Sequence, residues 1–367
     1  MIKIVFVINY ITNNGPSNVV LDIIHNLERP RYEISLITFF PGNDPEIVEE
    51  LKKDQVHVYE CHTLTRSKCL LGQDREFQDI IEEGKFDIIH THGFIPDILS
   101  SRLHATARRM TTLHNNMFED YVQSYGRLKG RVYISLHIAA LKKLDQCVCC
   151  SKSVYIVMRH YLKNTMYVRN GIKSKMAQHE ISRDQVDIPD DSTVFVFSGG
   201  LSFGKNVQFI IRYFVQYHDE KEYLIVLGDG PEREACEKAA DDHVRFMGFQ
   251  NDPAAFYNIS DVYISASRSE GFSISVLEAL SCGLGLFLSD IPSHNEVLSI
   301  GENLYLGESF SIKDNGESFG AVLSTLRKNY GRIDKESIKQ FQQEKLSDKA
   351  MTEKYDKVYR NMVSTNS

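Results

Sequence analysis

Short apolar runs alternate with helical stretches along this chain, and the alternation runs through it twice. The first run, Lys3–Ile8, is apolar on both faces, which is typical of a strand in a parallel sheet covered by helices on both sides. Residues 18–27 then carry apolar side chains at helical spacing. Repeats of this kind predict a doubly wound α/β domain. The pattern indicates further strands at 32–39, 87–90, 111–114 and 146–150, and a helix at 73–83.

Residues 171–192 interrupt this alternation, because they are polar and have little periodicity. The alternation then restarts, so we predict a first domain at 1–170 and a second doubly wound domain at 171–346, followed by a C-terminal helix within 347–367. Ligands bind outside the carboxyl ends of the strands in such sheets, which predicts a cleft between the two domains as the site. The second domain's strands are expected at 193–198, 223–228, 244–246, 262–265 and 285–288.

The composition narrows the class of protein. With 42 Lys and Arg against 49 Asp and Glu, the 367 residues have a net charge of −7, which argues against a general nucleic-acid binder. The hydrophobic fraction of 42% excludes a disordered chain. No apolar run reaches the roughly 18 residues that a membrane span requires. The N-terminal sequence has one Lys and no small-residue cleavage site, so we interpret it as a buried strand rather than a signal peptide.

Cysteine and histidine spacing gives no support to a metal site. The pair Cys147 and Cys150 lacks a second pair to complete a zinc site, and His90 and His92 lack further ligands at suitable spacing. The absence of Asp-x-Asp favours a metal-independent protein, and the absence of Gly-x-Gly-x-x-Gly leaves a nicotinamide cofactor unsupported. An odd number of irregularly spaced cysteines fits reduced thiols in the cytoplasm. The seven cysteines are Cys61, Cys69, Cys147, Cys149, Cys150, Cys236 and Cys282.

The most informative segment is Ser267–Glu278, which follows a predicted strand and opens a predicted helix. A helix N-terminus attracts anions, and Gly271 lets a ligand approach the backbone closely. Glu270 and Glu278 would accept hydrogen bonds from sugar hydroxyls, since carboxylates repel phosphate. The pattern from Ser275 to Glu278 is also that of a capping box, which leaves a purely structural role for Glu278 open.

This segment resembles a known family. Glu270 and Glu278 form an E-x7-E pattern within E-G-F and L-E-A-L-S-C-G, followed by S-D-I-P at 289–292. The combination is similar to the "group 1" family of retaining GT-B glycosyltransferases, which use nucleotide-sugar donors. Further resemblances cover nearly the whole chain: G-D-G-P at 228–231, V-R-F-M-G at 244–248, N-G-I at 170–172, and a last helix that in the family packs back on the first domain.

The resemblance implies a GT-B fold with two Rossmann-like domains, an acceptor domain first and a donor domain second. It implies transfer of a hexose or N-acetylhexosamine, with retained anomeric configuration and no metal, from a nucleoside-diphosphate sugar, UDP being favoured, to a glycan or lipid-linked acceptor in synthesis of a bacterial surface polysaccharide. By this resemblance Glu278 holds the ribose, Glu270 contacts the transferred sugar, Lys205 binds the diphosphate, and backbone N–H groups of Gly271, Phe272 and Ser273 contact the donor.

In the first domain the resemblance implicates a loop and two histidines. Asn14 and Gly15 lie in a loop that resembles the family's glycine loop near acceptor and diphosphate. His114 matches a histidine close to the transferred sugar and, as a strand-end residue, could instead be an ordinary surface histidine. His92 matches a motif for which we expect acceptor-side contacts.

Two departures from the family's pattern leave other functions open. Gly200 stands where the family has an Arg, for which Arg268 is a candidate replacement, and Pro16 stands where it has a second Gly. One alternative is a nucleotide-sugar epimerase of the same fold. The other is a weakly active nucleotide-sugar-binding partner subunit.

The basic charge is concentrated in one part of the chain. Residues 101–170 hold 12 Lys and Arg against 3 Asp and Glu. Within this part, residues 101–143 interleave cations with apolar residues, which predicts a peripheral contact with an anionic membrane at the inner face of the cell membrane. The alternative is a helix packed on its own sheet with an exposed basic face.

Overall fold

The computed structural model describes residues 1–12, 14–62, 74–174 and 176–364, and divides into two compact units. Unit 1 comprises Met1–Gly171 together with the C-terminal segment that begins at Asp348. Unit 2 comprises Ile172–Ser347. Unit 2 is therefore inserted into the sequence of unit 1.

Unit 1 is built on a parallel sheet that has seven strands within the described ranges, in the order β3-β2-β1-β4-β5-β6-β7. Strand β1 lies at the centre, where Ile8 is paired with Thr38 on one side and His92 on the other. Its Ile and Val side chains are buried on both faces, as the first apolar run predicts. The strands are β1 (Ile2–Ile8), β2 (Tyr32–Thr38), β3 (His57–Glu60), β4 (Ile88–His92), β5 (Arg108–Leu113), β6 (Gln146–Cys149) and β7 (Thr165–Tyr167).

Capped helices connect the strands of unit 1. Asn14, Asp44 and Asp74 each precede a helix and accept a hydrogen bond from a backbone N–H group of its first turn, which fixes where that helix begins. Apolar side chains of the helices pack against the sheet, as Phe77 does against Phe39 with ring centroids 5.0 Å apart. The helices are α1 (Gly15–Asn26), α2 (Pro45–Lys53), α3 (Arg75–Gly84), α4 (Phe94–Ser100), α5 (Met117–Tyr125), α6 (Arg127–Leu141) and α7 (Lys152–Met158).

Unit 2 repeats the arrangement with six parallel strands among its described residues, in the order β10-β9-β8-β11-β12-β13. Its core is rich in aromatic rings, including Phe287, Phe310 and Phe319. The strands are β8 (Thr193–Ser198), β9 (Glu222–Leu227), β10 (Val244–Gly248), β11 (Val262–Ser265), β12 (Gly285–Ser289) and β13 (Gly307–Phe310). The helices are α8 (Val207–Tyr217), α9 (Arg233–Ala239), α10 (Pro253–Asn258), α11 (Ile274–Ser281), α12 (Pro292–Ile300), α13 (Glu317–Asn329) and α14 (Lys335–Lys345).

The last helix, α15 (Asp348–Ser364), packs on unit 1. Its two buried tyrosines bond to the central strands. The Tyr359 hydroxyl lies 2.8 Å from His90 Nδ1, and the Tyr355 hydroxyl lies 2.8 Å from Thr112 Oγ1. On its outer side, Asp356 accepts a 2.8 Å hydrogen bond from the Tyr32 hydroxyl. The helix thus supplies hydrogen-bond partners for the interior of unit 1.

The two parallel sheets confirm the prediction of two doubly wound α/β domains. Three strands were missing from the sequence-based prediction, namely β3, β7 and β13, and each lies at the edge of its sheet. Among the described residues of the interruption at 171–192, the structure has one short 3-10 helix, at Asp184–Val186. Six cysteines are buried free thiols, while Cys69 lies outside the described residues, as does the start of the helix predicted at 73–83.

Candidate active site

The strand order creates one switch point in each sheet, where the connections turn in opposite directions. It lies between β1 and β4 in unit 1, and between β8 and β11 in unit 2. In doubly wound sheets ligands bind outside the carboxyl ends of the strands at such points. In unit 1, Asn14 lies in the loop after β1, and His92 ends β4. In unit 2, Lys205 lies in the loop after β8, and Glu270 lies in the loop after β11. The topology therefore brings the predicted site residues of each unit together at the carboxyl ends of its strands.

Lys205 and Glu270 are in direct contact. The Lys205 ammonium donates a 2.5 Å hydrogen bond to Glu270 Oε1, and the Ser267 hydroxyl donates to the same oxygen at 2.8 Å. Burial disfavours the charged form of Glu270, but the positive charge of Lys205 and these hydrogen bonds outweigh it, so the carboxyl pKa lies below its usual value. Glu270 is therefore an anion at neutral pH, with Lys205 as its counterion.

Arg268, in the loop after β11, contacts the turn that carries Lys205. Its backbone N–H donates to the Gly204 carbonyl at 2.9 Å, and its guanidinium stacks over the Phe203 ring at 4.3 Å. The same guanidinium donates a 2.8 Å hydrogen bond to Asn206 Oδ1, which fixes its position. A second cation thus lies beside the Lys205 turn, whereas Gly200 contributes none.

The segment before helix α11 has a different cap from the one that the sequence suggested. Ser273 is the residue preceding the helix, and its side chain makes no capping hydrogen bond. Ser275 is already the second helical residue, so Glu278 stands in the fifth position and cannot reach back to the cap. The capping-box interpretation of Glu278 is therefore wrong. Gly271, Phe272 and Ser273 approach the N-terminus of α11, with Phe272 and Ser273 largely buried.

His294, in the first turn of α12, belongs to this region and was missed from the sequence. Its Nδ1 lies 3.0 Å from Ser289 Oγ and 3.1 Å from the Ser289 carbonyl. Because the Ser289 hydroxyl donates its proton to the Ser267 carbonyl at 2.7 Å, Nδ1 of His294 must be the donor. Burial lowers the pKa of His294 to about 4, so its Nε2 is a bare lone pair, and this buried atom has no hydrogen-bond partner within the described residues.

Three histidines lie in or just after the central strands of unit 1: His90 in the middle of β4, His92 at its end, and His114 directly after β5. His92 Nδ1 and His114 Nε2 are 2.9 Å apart, and His90 Nε2 lies 2.9 Å from Thr112 Oγ1. Burial lowers the pKa of all three rings, that of His114 to about 4, so they are neutral at pH 7. The Nε2 atom of His92 is buried and lacks a partner in the described part of the chain.

The loop after β1 caps the N-terminus of helix α1. Asn14 Oδ1 accepts a 3.0 Å hydrogen bond from the Ser17 N–H, and Asn14 Nδ2 donates to Thr12 Oγ1 at 2.5 Å. Gly15 and Pro16 are the first two helical residues. A cavity of about 370 Å³ opens beside this loop, and Asn14, His92 and His114 all line it.

Helix α6 exposes a ridge of apolar side chains between cations. Leu128, Val132 and Leu136 are 82%, 59% and 42% exposed. The opposite face packs on unit 1 through the buried side chains of Ile134 and His137. The exposed cations Arg127, Lys129 and Arg131 flank the ridge. The helix therefore packs on its own domain and also presents a basic, apolar outer surface.

Within the described ranges, no group of three or more His, Cys, Asp or Glu side chains is placed to hold a metal ion. The same residues include no helix that is both long and apolar enough to cross a bilayer.

Two sequence families match adjoining parts of the chain. "Glycosyl transferases group 1" matches residues 178–339, and "Glycosyltransferase Family 4" matches residues 13–175. The O-antigen biosynthesis glycosyltransferase WclY of Escherichia coli is 28% identical over 379 residues, which cover 98% of each chain. The UDP-Gal:alpha-D-GlcNAc-diphosphoundecaprenol alpha-1,3-galactosyltransferase of Escherichia coli is 24% identical over 77% of this chain and 78% of its own.

The fold matches solved structures over its whole length. The Anabaena protein HepE, crystallised with UDP and glucose, superposes with a TM-score of 0.76. The superposition covers 98% of this chain and 100% of that protein, at 14% sequence identity. At this identity the similarity establishes the fold.

Proposed function

Since this chain belongs to the group 1 glycosyltransferases, with a family 4 domain in unit 1, we propose that its donor is a UDP-sugar. We propose that the acceptor is a hydroxyl group of a glycan or lipid-linked sugar in synthesis of a bacterial surface polysaccharide. The names of the Escherichia coli relatives, which specify O-antigen biosynthesis and UDP-galactose, support this, as does the UDP bound to the Anabaena protein.

The observation that carries the proposal is the contact between Lys205 and Glu270 at the switch point of unit 2. A carboxylate can accept hydrogen bonds from sugar hydroxyls, and an adjacent ammonium can neutralise a diphosphate. On donor binding, Lys205 would turn from Glu270 to the diphosphate, and Glu270 would exchange it for a hydroxyl of the transferred sugar.

The chemical step would retain the anomeric configuration and need no metal. An oxygen of the departing diphosphate takes the proton of the acceptor hydroxyl on the face where the new bond forms. Lys205, helped by Arg268 and the N-terminus of α11, stabilises the charge that grows on the diphosphate. Glu278 holds the ribose, and His114 orients the sugar. Transfer that persists in excess EDTA would support the metal-free route.

A thermal-shift screen with UDP-, GDP- and ADP-sugars, followed by a transfer assay on a panel of glycan and lipid-linked acceptors, tests the function. We expect UDP-sugars to raise the unfolding temperature and one of them to give a product with the same anomeric configuration. Conversion of the donor to its epimer without acceptor would indicate an epimerase instead. Binding without transfer or hydrolysis across the panel would indicate a partner subunit.

Glu278→Gln is expected to weaken UDP binding about tenfold, because one strong hydrogen bond to a ribose hydroxyl is lost. Isothermal titration with UDP measures the effect. The matched control is Glu234→Gln, which changes an exposed carboxylate of the same unit that pairs with Lys238. Unchanged UDP affinity with a lower unfolding temperature would assign Glu278 a structural role only.

We propose that α6 rests on an anionic membrane surface, because its exposed apolar ridge lies among cations. Replacing Arg127, Lys129 and Arg131 by Glu is expected to weaken binding to vesicles containing anionic lipid about 100-fold, at about 1 kcal/mol per cation. Co-sedimentation with phosphatidylglycerol vesicles measures it. The control is the same change at Lys52, Lys53 and Arg75, exposed cations elsewhere in unit 1. Equal losses in both variants would show that only net charge matters.

A further inference from the structure

The cavity of unit 1 contains no cationic side chain among its described lining residues. It opens beside strands β1, β4 and β5, and its lining residues include two acidic ones, Asp97 and Asp120. Burial raises the pKa of Asp120, which shows how little water screens this region. An anion placed here would lose hydration and meet no cationic side chain. The N-terminus of α1 at the cavity offers it little, because Pro16 has no N–H group and the Ser17 N–H already donates to Asn14 Oδ1. The cavity is therefore suited to a neutral ligand rather than to a phosphate or diphosphate.

A chain of hydrogen bonds ends at the wall of this cavity. Asp97, on α4, is fully buried, and its Oδ2 lies 2.8 Å from Nε2 of His137, on α6. His137 Nδ1 lies 2.7 Å from the hydroxyl of Tyr121, on α5. The Thr91 hydroxyl donates to the other oxygen of Asp97. Three helices thus combine to form an Asp97–His137–Tyr121 chain.

The Asp97 carboxylate determines which group donates in each of these hydrogen bonds. Because the Asp97 carboxylate accepts at Nε2 of His137, the neutral form of this ring carries its one proton there and leaves Nδ1 as a lone pair. The Tyr121 hydroxyl must then donate its proton to Nδ1. Its oxygen keeps a free lone pair, and because Tyr121 lines the cavity, a ligand that meets this oxygen must bring a donor.

Two residues of the cavity lining each have a buried polar atom without a hydrogen-bond partner among the described residues. Asn9 Oδ1 and His92 Nε2 are buried and make no hydrogen bond within the described residues. An unsatisfied buried polar atom costs about 1–3 kcal/mol, so a ligand hydroxyl group that reached either atom would recover that energy. The rings of Phe94 and Tyr121 stand edge to face, 5.8 Å between centroids, and add an apolar wall.

We propose that this cavity binds a neutral sugar ring and that Tyr121, oriented by Asp97 through His137, is a positioning residue that accepts a hydrogen bond from one of the ring's hydroxyls. This inference rests on the proposed function, because the ring would be the terminal sugar of the acceptor. It specifies the acceptor further: any phosphate of a lipid-linked acceptor must lie outside the cavity.

The test uses the full chain and simple probes. Methyl glycosides of glucose, galactose and N-acetylglucosamine are the neutral probes, and glucuronate and inorganic phosphate are the charged ones. Saturation-transfer NMR detects binding, and titration gives affinities. We expect at least one neutral glycoside to bind, and Tyr121→Phe to weaken it about tenfold because the acceptor oxygen is removed. The matched control is Tyr125→Phe, one turn along the same helix and 52% exposed.

Two further measurements separate positioning from structure and from the proposed function. Tyr121→Phe should lower the unfolding temperature only slightly, because Nδ1 of His137 loses its donor, and should leave UDP affinity unchanged. In the transfer assay it should raise KM for the acceptor more than it lowers kcat. Preferential binding of the charged probes, no glycoside binding, or equal glycoside affinity in Tyr121→Phe would overturn the inference. Glycoside binding without UDP binding or transfer would instead refute the proposed function alone.

Discussion

Lys205→Met is expected to lower the rate of sugar transfer about 100- to 1,000-fold, the usual cost of removing one preorganised donor that stabilises developing charge. Lys205 is the cation in contact with Glu270, and Gly200 supplies no second one at the position where the family has an Arg. Steady-state kinetics with the identified donor and acceptor measure the loss. We expect it mainly in kcat, because charge on the diphosphate grows as the bond breaks.

The same substitution should lower stability, since it leaves the carboxylate of Glu270 without its counterion. The cost is about 1–3 kcal/mol in the free energy of unfolding. Adding Glu270→Gln removes the unpaired charge, so the double variant should recover stability without recovering activity. Lys221→Met is the control, because it removes an exposed lysine of unit 2 that pairs with Asp191. If Lys205→Met stayed within tenfold of the parent rate, Lys205 would not stabilise the diphosphate.

Acidification from pH 6.5 to 5 is expected to destabilise unit 1 more than unit 2. Burial lowers the pKa of His90, His92 and His114 in unit 1, and of His294 in unit 2. Below the ordinary pKa of about 6.5 the unfolded chain binds protons that the folded chain does not, so stability falls as the pH falls. Each proton bound only by the unfolded chain lowers the free energy of unfolding by about 1.4 kcal/mol per pH unit. Each ring therefore lowers it by about 2 kcal/mol between pH 6.5 and 5. The lowered pKa of Glu270 adds to the loss only below its ordinary value of 4.5.

Hydrogen exchange in moderate urea, read separately for peptides of each unit, measures this difference between the units. A single unfolding midpoint would not assign the loss of stability to one of the two units. The expected result is that protection in the strands of unit 1 falls faster with decreasing pH than protection in those of unit 2. Equal pH dependence of both units would show that the buried histidines of unit 1 do not control its stability.

The inner strands of both sheets could be predicted from sequence, whereas of the four edge strands in the described ranges only β10 was predicted. The central strands β1 and β8 are buried on both faces, so their apolar runs stand out. The edge strands β3 and β7 are short and partly exposed, and their residues, H-V-Y-E and T-M-Y, carry no run of apolar side chains. Edge strands are held by pairing with a neighbour, which leaves little trace in local sequence.

Some residues of the candidate site could likewise be predicted from the sequence and others could not. Lys205 and Glu270 stand in recognisable motifs, although their contact depends on the neighbouring positions of β8 and β11. His294 gave a weaker signal, a histidine in the first turn of a helix after a buried strand. Asp97, His137 and Tyr121 belong to three separate helices, and only the packing of α4, α5 and α6 joins them. Periodicity reveals which face of a helix is buried but not which buried polar groups meet.

The position of α15 in unit 1 bears on the order in which the protein assembles during synthesis. A ribosome releases residues 1–171 before the helix that carries Tyr355 and Tyr359. Until that helix is made, His90 and Thr112 in the sheet of unit 1 lack these hydrogen-bond partners. Unit 2 is contiguous, and all its strands are available before α15 is made. The domain made second can therefore be finished first. A chain interrupted anywhere before α15 would carry an incomplete unit 1, however far translation had progressed through unit 2.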